Sequence, residues 1–235
     1  MKTHTKQELK ARVERIEKVW TPDSKIYITH KDKENIFAYP SFGPDTYVNV
    51  GKKILEKNLA LSTGEQIASL LYSAYCVPEV NGEPEFENIR DIMRNRWLWV
   101  FNRNLWTDKG VYVVRDLEAK GLSETLSENE LEKMPKEGKV RFVPKDSYKL
   151  EYNSPEELSK NGFVIASYGK QGAEKLAEVS EKFPNKPYVY SLNIEKGQDP
   201  KQSVSALGVY CADRLDVVGD GFGGNGDGYA FGVLK

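Results

Sequence analysis

Between Lys57 and Lys109 the chain has no lysine, yet it carries Arg90, Arg94, Arg96 and Arg103 and three of its four tryptophans, Trp97, Trp99 and Trp106. A planar guanidinium forks onto carboxylate or phosphate oxygens and stacks on an indole, which a compact ammonium does less well. Arginines and indoles interleaved in this way could hold a phosphate, a carboxylate or a single-stranded nucleic acid, with a ring stacked on a base or sugar. The candidate ligand-binding set is therefore Arg94, Arg96, Trp97, Trp99, Arg103 and Trp106. The plainer alternative is a buried hairpin whose arginines pair with Glu79, Glu83, Glu85 or Glu87. Trp and Arg also dominate protein interfaces, so the segment could equally join two copies of the chain.

If the protein is a catalyst, carboxylates must carry the reaction. Asp213, Asp216 and Asp220 cluster around a short predicted strand, and the period of two places Arg214 and Asp216 on one face. A carboxylate base beside an arginine clamp suits hydrolysis or transfer on an anionic substrate, although an ion pair on a sheet surface has the same pattern. Six glycines then fill Gly219 to Gly228. Gly219, Gly221 and Gly224 match the dinucleotide fingerprint formally, but only eleven residues follow Gly224, too few for the helix and distal acid that the motif needs. Asp220, Asn225 and Asp227 lack the calcium-loop spacing. The stretch is expected to be a flexible hairpin connection, able to act as a flap over a cleft.

Gly169-Lys-Gln-Gly172 stands before a predicted helix, where free backbone amides favour anions, although a tight turn accounts for the same residues. Histidine chemistry is nearly excluded by number, since His4 precedes the first predicted helix and His30 falls in a polar turn. Cys76 and Cys211 lie in apolar patterns typical of inert thiols, and a Cys-His dyad with His30 is left open. Nothing in the sequence calls for a metal or cofactor, and the two cysteines form no zinc or disulfide framework.

The whole chain sets wider bounds. At 235 residues it suits one large domain or two small lobes, and a formal net charge of -1 means that any polyanion site must be a local patch. The start of the chain is charged and lacks an apolar leader core, and no apolar run approaches a membrane span. A cytosolic protein without a membrane partner is expected.

To position these groups, the sequence predicts an α+β fold with mainly antiparallel sheets. A helix is expected over residues 5–20, with Thr5 and Glu8 as a capping box and Leu9, Val13, Ile16 and Trp20 as its stripe. Residues 25–29 and 35–39 read as a hairpin, and Tyr47-Val-Asn-Val50 continues the strand pattern after a Pro/Gly turn. A second capped helix starts at Ser62 or Thr63, and a short one covers Phe86 to Met93. Trp97, Trp99 and Phe101 alternate with Leu98 and Val100, a strand apolar on both faces, and Asp108-Lys-Gly110 turns it back as Val111 to Arg115. The polar run 121–138, with a short helix at Ser127 to Met134, separates an N-terminal lobe (1–120) from a C-terminal lobe (139–235), although the two could form one compact domain. Beyond it come a short helix from Ser154, a strand Phe163 to Tyr168, a helix Gln171 to Phe183 and a strand Tyr188 to Leu192, one strand-helix-strand unit. Strands at 203–211, 214–218 and 229–234 end the chain.

The leading expectation is a binding protein for an anionic ligand, a nucleic acid or a phosphate-bearing small molecule, at the Arg/Trp segment. Two alternatives stay open. One is a hydrolase or transferase using Asp213, Asp216 and Asp220 beneath the glycine-rich flap. The other is a homo-oligomeric assembly protein whose interface is the aromatic hairpin.

Overall fold

The computed structural model describes residues 11–18, 21–30, 33–134 and 138–235. Three strands, β1 (Ala11–Lys18), β2 (Thr21–His30) and β3 (Lys33–Tyr39), pair as an antiparallel meander. Strand β4 (Phe42–Asp45), helix α1 (Tyr47–Glu56), strand β5 (Ala60–Leu61) and helices α2 (Gly64–Cys76) and α3 (Pro84–Asn95) follow. The long strand β6 (Trp97–Trp106) turns back as β7 (Gly110–Arg115), with α4 (Glu128–Lys133) and β8 (Val140–Pro144) next. After β9 (Glu151–Tyr152) come α5 (Pro155–Lys160), α6 (Gly162–Ser180) and β10 (Tyr188–Tyr190). The chain ends with β11 (Lys201–Tyr210), β12 (Arg214–Gly221), β13 (Gly228–Ala230) and β14 (Gly232–Val233). Helix at 35% and strand at 33% are nearly balanced in mixed, largely antiparallel sheets, so the fold is α+β. No helix among the described residues is long and apolar enough to cross a membrane.

The smaller sheet has five strands in the order β1-β2-β3-β14-β5. The larger has nine, β4-β13-β6-β11-β12-β10-β9, with β7 added to β6 and β8 to β7. Strands from both sides of residues 121–138 therefore share one sheet. Strand β6 is its spine, with β11 along one edge and β13 then β7 along the other. Its predicted two-sided apolar pattern holds. Leu98, Val100 and Trp106 join the core with α2, α3 and α6, while Trp99 and Phe101 pack with Tyr47, Val50 and Ile54 of α1. Fully burying Leu98, Val100 or Phe101 stabilises by about 1.5–3 kcal/mol each.

Elements with strong local signals form where the sequence places them. Helix α2 starts at a true capping box: Thr63 Oγ1 accepts from Gln66 N, and Gln66 Oε1 accepts from Thr63 N. The β6–β7 hairpin closes through Thr107, whose oxygen accepts from the amides of Lys109 and Gly110.

Four expectations are corrected. Residues 11–18 are a strand and not part of a helix, because β2 offers a full antiparallel register from Ala11↔Ile28 to Lys18↔Thr21 that outweighs a weak helical periodicity. The rest of that expected helix, with His4, the Thr5–Glu8 cap, Leu9 and Trp20, lies outside the described residues. Tyr47 to Val50 opens helix α1, capped by Thr46, and buries Tyr47, Val50, Gly51 and Ile54 at helical spacing. Phe163 to Tyr168 is also helical: Asn161 Oδ1 accepts from the amides of Phe163 and Val164 and starts α6 there, so no strand-helix-strand unit forms. The glycine-rich stretch is no hairpin connection either. It leaves β12, passes over β11 and β6, and enters β13 beyond them.

Candidate anion-binding site

Helix α6 contains one non-helical residue. Gly169 has φ 73° and ψ 161°, so the helix is broken there and its second half has an N-terminus of its own. The N-terminus of α2 packs directly against this break. A methyl group on Gly64 would sit 2.1 Å from the Ser167 carbonyl oxygen, and one on Gly169 would sit 3.3 Å from the Glu65 carboxylate carbon. Two helix beginnings thus meet at one place, each with a partial positive charge.

Opposite them lie the ends of β7 and β8. An open cavity of about 170 Å³ lies there, lined by Arg115 and its cross-strand partner Asn102, by Lys139 and Arg141, and by Ser167 and Gly169. Glu65 is the one carboxylate that lines it, against three cations. Arg141 donates to the carbonyls of Ile165 (3.3 Å) and Ala166 (3.0 Å), at the end of the first half of α6. Arg115 and Lys139 pair with no carboxylate among the described residues. Arg115 is exposed at the rim, and burial of part of its side chain holds the guanidinium below the usual arginine range. Ser167 is 6% exposed, and its Oγ has no hydrogen-bond partner. Its carbonyl is held by the Asn102 side-chain amide at 3.2 Å.

The Arg/Trp set is not gathered onto one surface. Trp106 is fully buried, with Nε1 donating to Ser203 Oγ (2.8 Å) and the Gly219 carbonyl (3.1 Å). Trp99 is buried on the other side of the sheet and donates to the Asp45 carbonyl at 3.1 Å. Trp97 is half-buried beside it. Arg103 is buried and engaged by Glu124, through a 3.3 Å ion pair and a bond to the Glu124 carbonyl. Arg94 pairs with Asp91 at 3.6 Å, and Arg96 is exposed past the end of α3. The physical reason is the spine role of β6: both faces of this strand are covered, so its rings serve the core. An interface built from those indoles meets the same obstacle.

Of the three carboxylates, Asp213 and Asp216 lie within electrostatic reach of each other and Asp220 stands apart. Arg214 Nε does pair with Asp216 Oδ1 at 2.8 Å, as the period of two requires. Asp213 lies in the β11–β12 turn, and Asp220 is about 13 Å from Asp216 by strand rise. The glycine-rich loop does not cover them, because the Gly223 carbonyl accepts from Tyr47 N (3.0 Å) and ties it to α1. Burial pushes the Cys76 thiol up to about 11, which makes it a poor nucleophile. No group of three or more His, Cys, Asp or Glu among the described residues could hold a metal ion.

No family model, curated protein or solved structure matches the chain. Sequence reasoning passed over Arg115, Lys139, Arg141, Asn102 and Ser167. One signal did point there: Gly169-Lys-Gln-Gly172, whose first glycine lines the cavity, although it breaks a helix and does not follow a strand.

Proposed function

We propose that the protein binds a small anionic ligand, a phosphate or carboxylate group, in the cavity between the α2 N-terminus, the α6 break and the ends of β7 and β8. One observation carries the reading: Arg115, an exposed guanidinium at the rim that pairs with no carboxylate among the described residues, shares the cavity with the buried, unpartnered Oγ of Ser167. An anion would take guanidinium and ammonium N–H groups from Arg115 and Lys139 and the hydroxyl of Ser167, beside the positive ends of the two helix dipoles. At about 170 Å³ the space suits one phosphate or carboxylate head group, with the rest of the ligand outside. A nucleic acid strand needs a row of such contacts, so a phosphate-bearing small molecule is favoured over a polymer. Both described cysteines are free, which suits a reducing compartment such as the cytosol.

Calorimetric titration with inorganic phosphate, a simple phosphomonoester and citrate tests the proposal. Saturable binding that weakens with salt is expected, and Arg115→Ala should lower the affinity by about tenfold or more. Absence of binding to all three probes, or affinities unchanged in Arg115→Ala, would refute it.

A further inference from the structure

A second concave surface lies at the far edge of the larger sheet, around Arg214. The register sets Tyr152 beside Tyr188 and Tyr188 beside Asp216, while Tyr210 faces Arg214 across the β11–β12 pair. The guanidinium carbon is 4.7 Å from the Tyr188 ring centre, 4.8 Å from that of Tyr210 and 5.5 Å from that of Tyr152. Its nitrogens donate to Asp216 (2.8 Å), the Tyr190 hydroxyl (2.8 Å) and the Tyr152 hydroxyl (3.0 Å). Arg214 is thus a fixed post that holds the surrounding rings in place, and not a free cation.

In front of this post is a cleft of about 450 Å³, lined by Tyr152, Asn185, Lys186, Tyr210, Asp213 and Arg214. That volume falls within the usual small-ligand range. Tyr152 and Tyr210 are 51% and 56% exposed, so two held rings still present open surface. Between them the polar groups are incomplete. Asp213 Oδ1 is buried in the wall with no hydrogen-bond partner, and the side chains of Asn185 and Lys186 make no hydrogen bond with any described residue. The Asn185 amide donates to the Asp213 carbonyl at 3.0 Å, which fixes the loop against the turn.

Charge narrows the ligand. Asp216 neutralises Arg214, and Asp213 opposes Lys186, so the cleft has no net charge to attract an ion of either sign. The ligand must bring a donor to Asp213, acceptors for Lys186 and Asn185, and an apolar face for a tyrosine ring. A ring of hydroxyl groups with a C–H face does all three, because each hydroxyl both donates and accepts. We infer that the Tyr152/Tyr210 cleft is a saccharide-binding site that takes a neutral pyranose ring. The ring stacks on Tyr210, donates a hydroxyl to Asp213 and accepts from Lys186 and Asn185. These residues are separate from those of the anion cavity, so either proposal can fail alone.

The test titrates the full chain with glucose, galactose, mannose, N-acetylglucosamine and their short oligomers, followed by saturation-transfer NMR and calorimetry. Saturable binding of at least one is expected, weakened about tenfold or more in Tyr210→Ala and retained in Tyr210→Phe, which keeps the ring. Lys186→Ala, on an exposed loop, should also weaken it without a folding defect, and Arg115→Ala should leave it unchanged. The proposal is overturned if no saccharide in the panel binds saturably, if binding survives both Tyr210→Ala and Lys186→Ala, or if a proline-rich peptide occupies the cleft and no saccharide does.

Discussion

The side-chain amide of Asn102 in β6 donates to the carbonyl oxygen of Ser167 at 3.2 Å, bridging 65 residues of sequence. Ser167 sits two residues before the α6 break, where its carbonyl would otherwise be buried without a donor. The bond therefore fixes the floor of the anion cavity to the spine of the larger sheet.

Asn102→Ala should leave that carbonyl unsatisfied and lower stability by about 1–3 kcal/mol, read as a drop in the urea midpoint. Phosphate affinity should fall with it, since Ser167 loses its anchor. A variant with an unchanged midpoint would show that water replaces the amide at no penalty and that the bond holds nothing in place.

The approach of α2 to α6 gives a second expectation. A methyl group at Gly64 would meet the Ser167 carbonyl oxygen at 2.1 Å, whereas one at Gly82 meets nothing within 4 Å. Gly64→Ala must push the two helices apart, costing about 1–3 kcal/mol or more and opening the cavity. Gly82→Ala relieves only unfolded-state freedom and should be neutral or stabilising by a few tenths of a kcal/mol to about 1 kcal/mol. Thermal denaturation of the two variants side by side separates them; equal melting points would mean that the helix contact yields without strain.

What the sequence revealed in advance depended on how local the cause was. The Thr63–Gln66 cap, the turn at Thr107 to Gly110 and the alternation through Trp97 to Phe101 are each set by residues a few positions apart, and each element formed as expected. Residues 11–18 and 163–168 went the other way. The first took its conformation from strand β2, and the second from Asn161, whose cap starts a helix through a run of residues that favour strands. The anion cavity was still less visible, because Arg115 at the end of β7 and Lys139 and Arg141 at the start of β8 meet the Gly169 break only through the folded sheet. Burial also misled. An absence of lysine around Trp97 to Trp106 has the same appearance whether arginines face a ligand or a strand is sealed on both sides, and here the strand is sealed.

The last expectation concerns Arg214 and Asp216. Burial raises the Asp216 carboxyl above its ordinary value of 3.8, and the bond and charge of Arg214 pull it back only in part. Between 3.8 and that raised value the folded protein binds more protons than the unfolded chain. Stability from this group is therefore greatest at low pH, falls as pH rises through the window and is flat above it. Arg214→Ala removes both downward influences, so the carboxyl titrates higher still and the window widens toward neutral pH. At neutral pH the variant should lose about 3 kcal/mol or more, because a buried carboxylate is left unpaired, and mild acid should restore part of that loss as Asp216 takes up a proton. Urea midpoints measured from acidic to neutral pH, with Arg214→Ala/Asp216→Asn as the reference that lacks the titrating group, read the effect directly. Asp220, raised by its own burial, is common to every variant and cancels from the differences. If Arg214→Ala lost equal stability across the whole range, Asp216 would not be the group that responds, and the pair would owe its importance to the packing of the tyrosines alone.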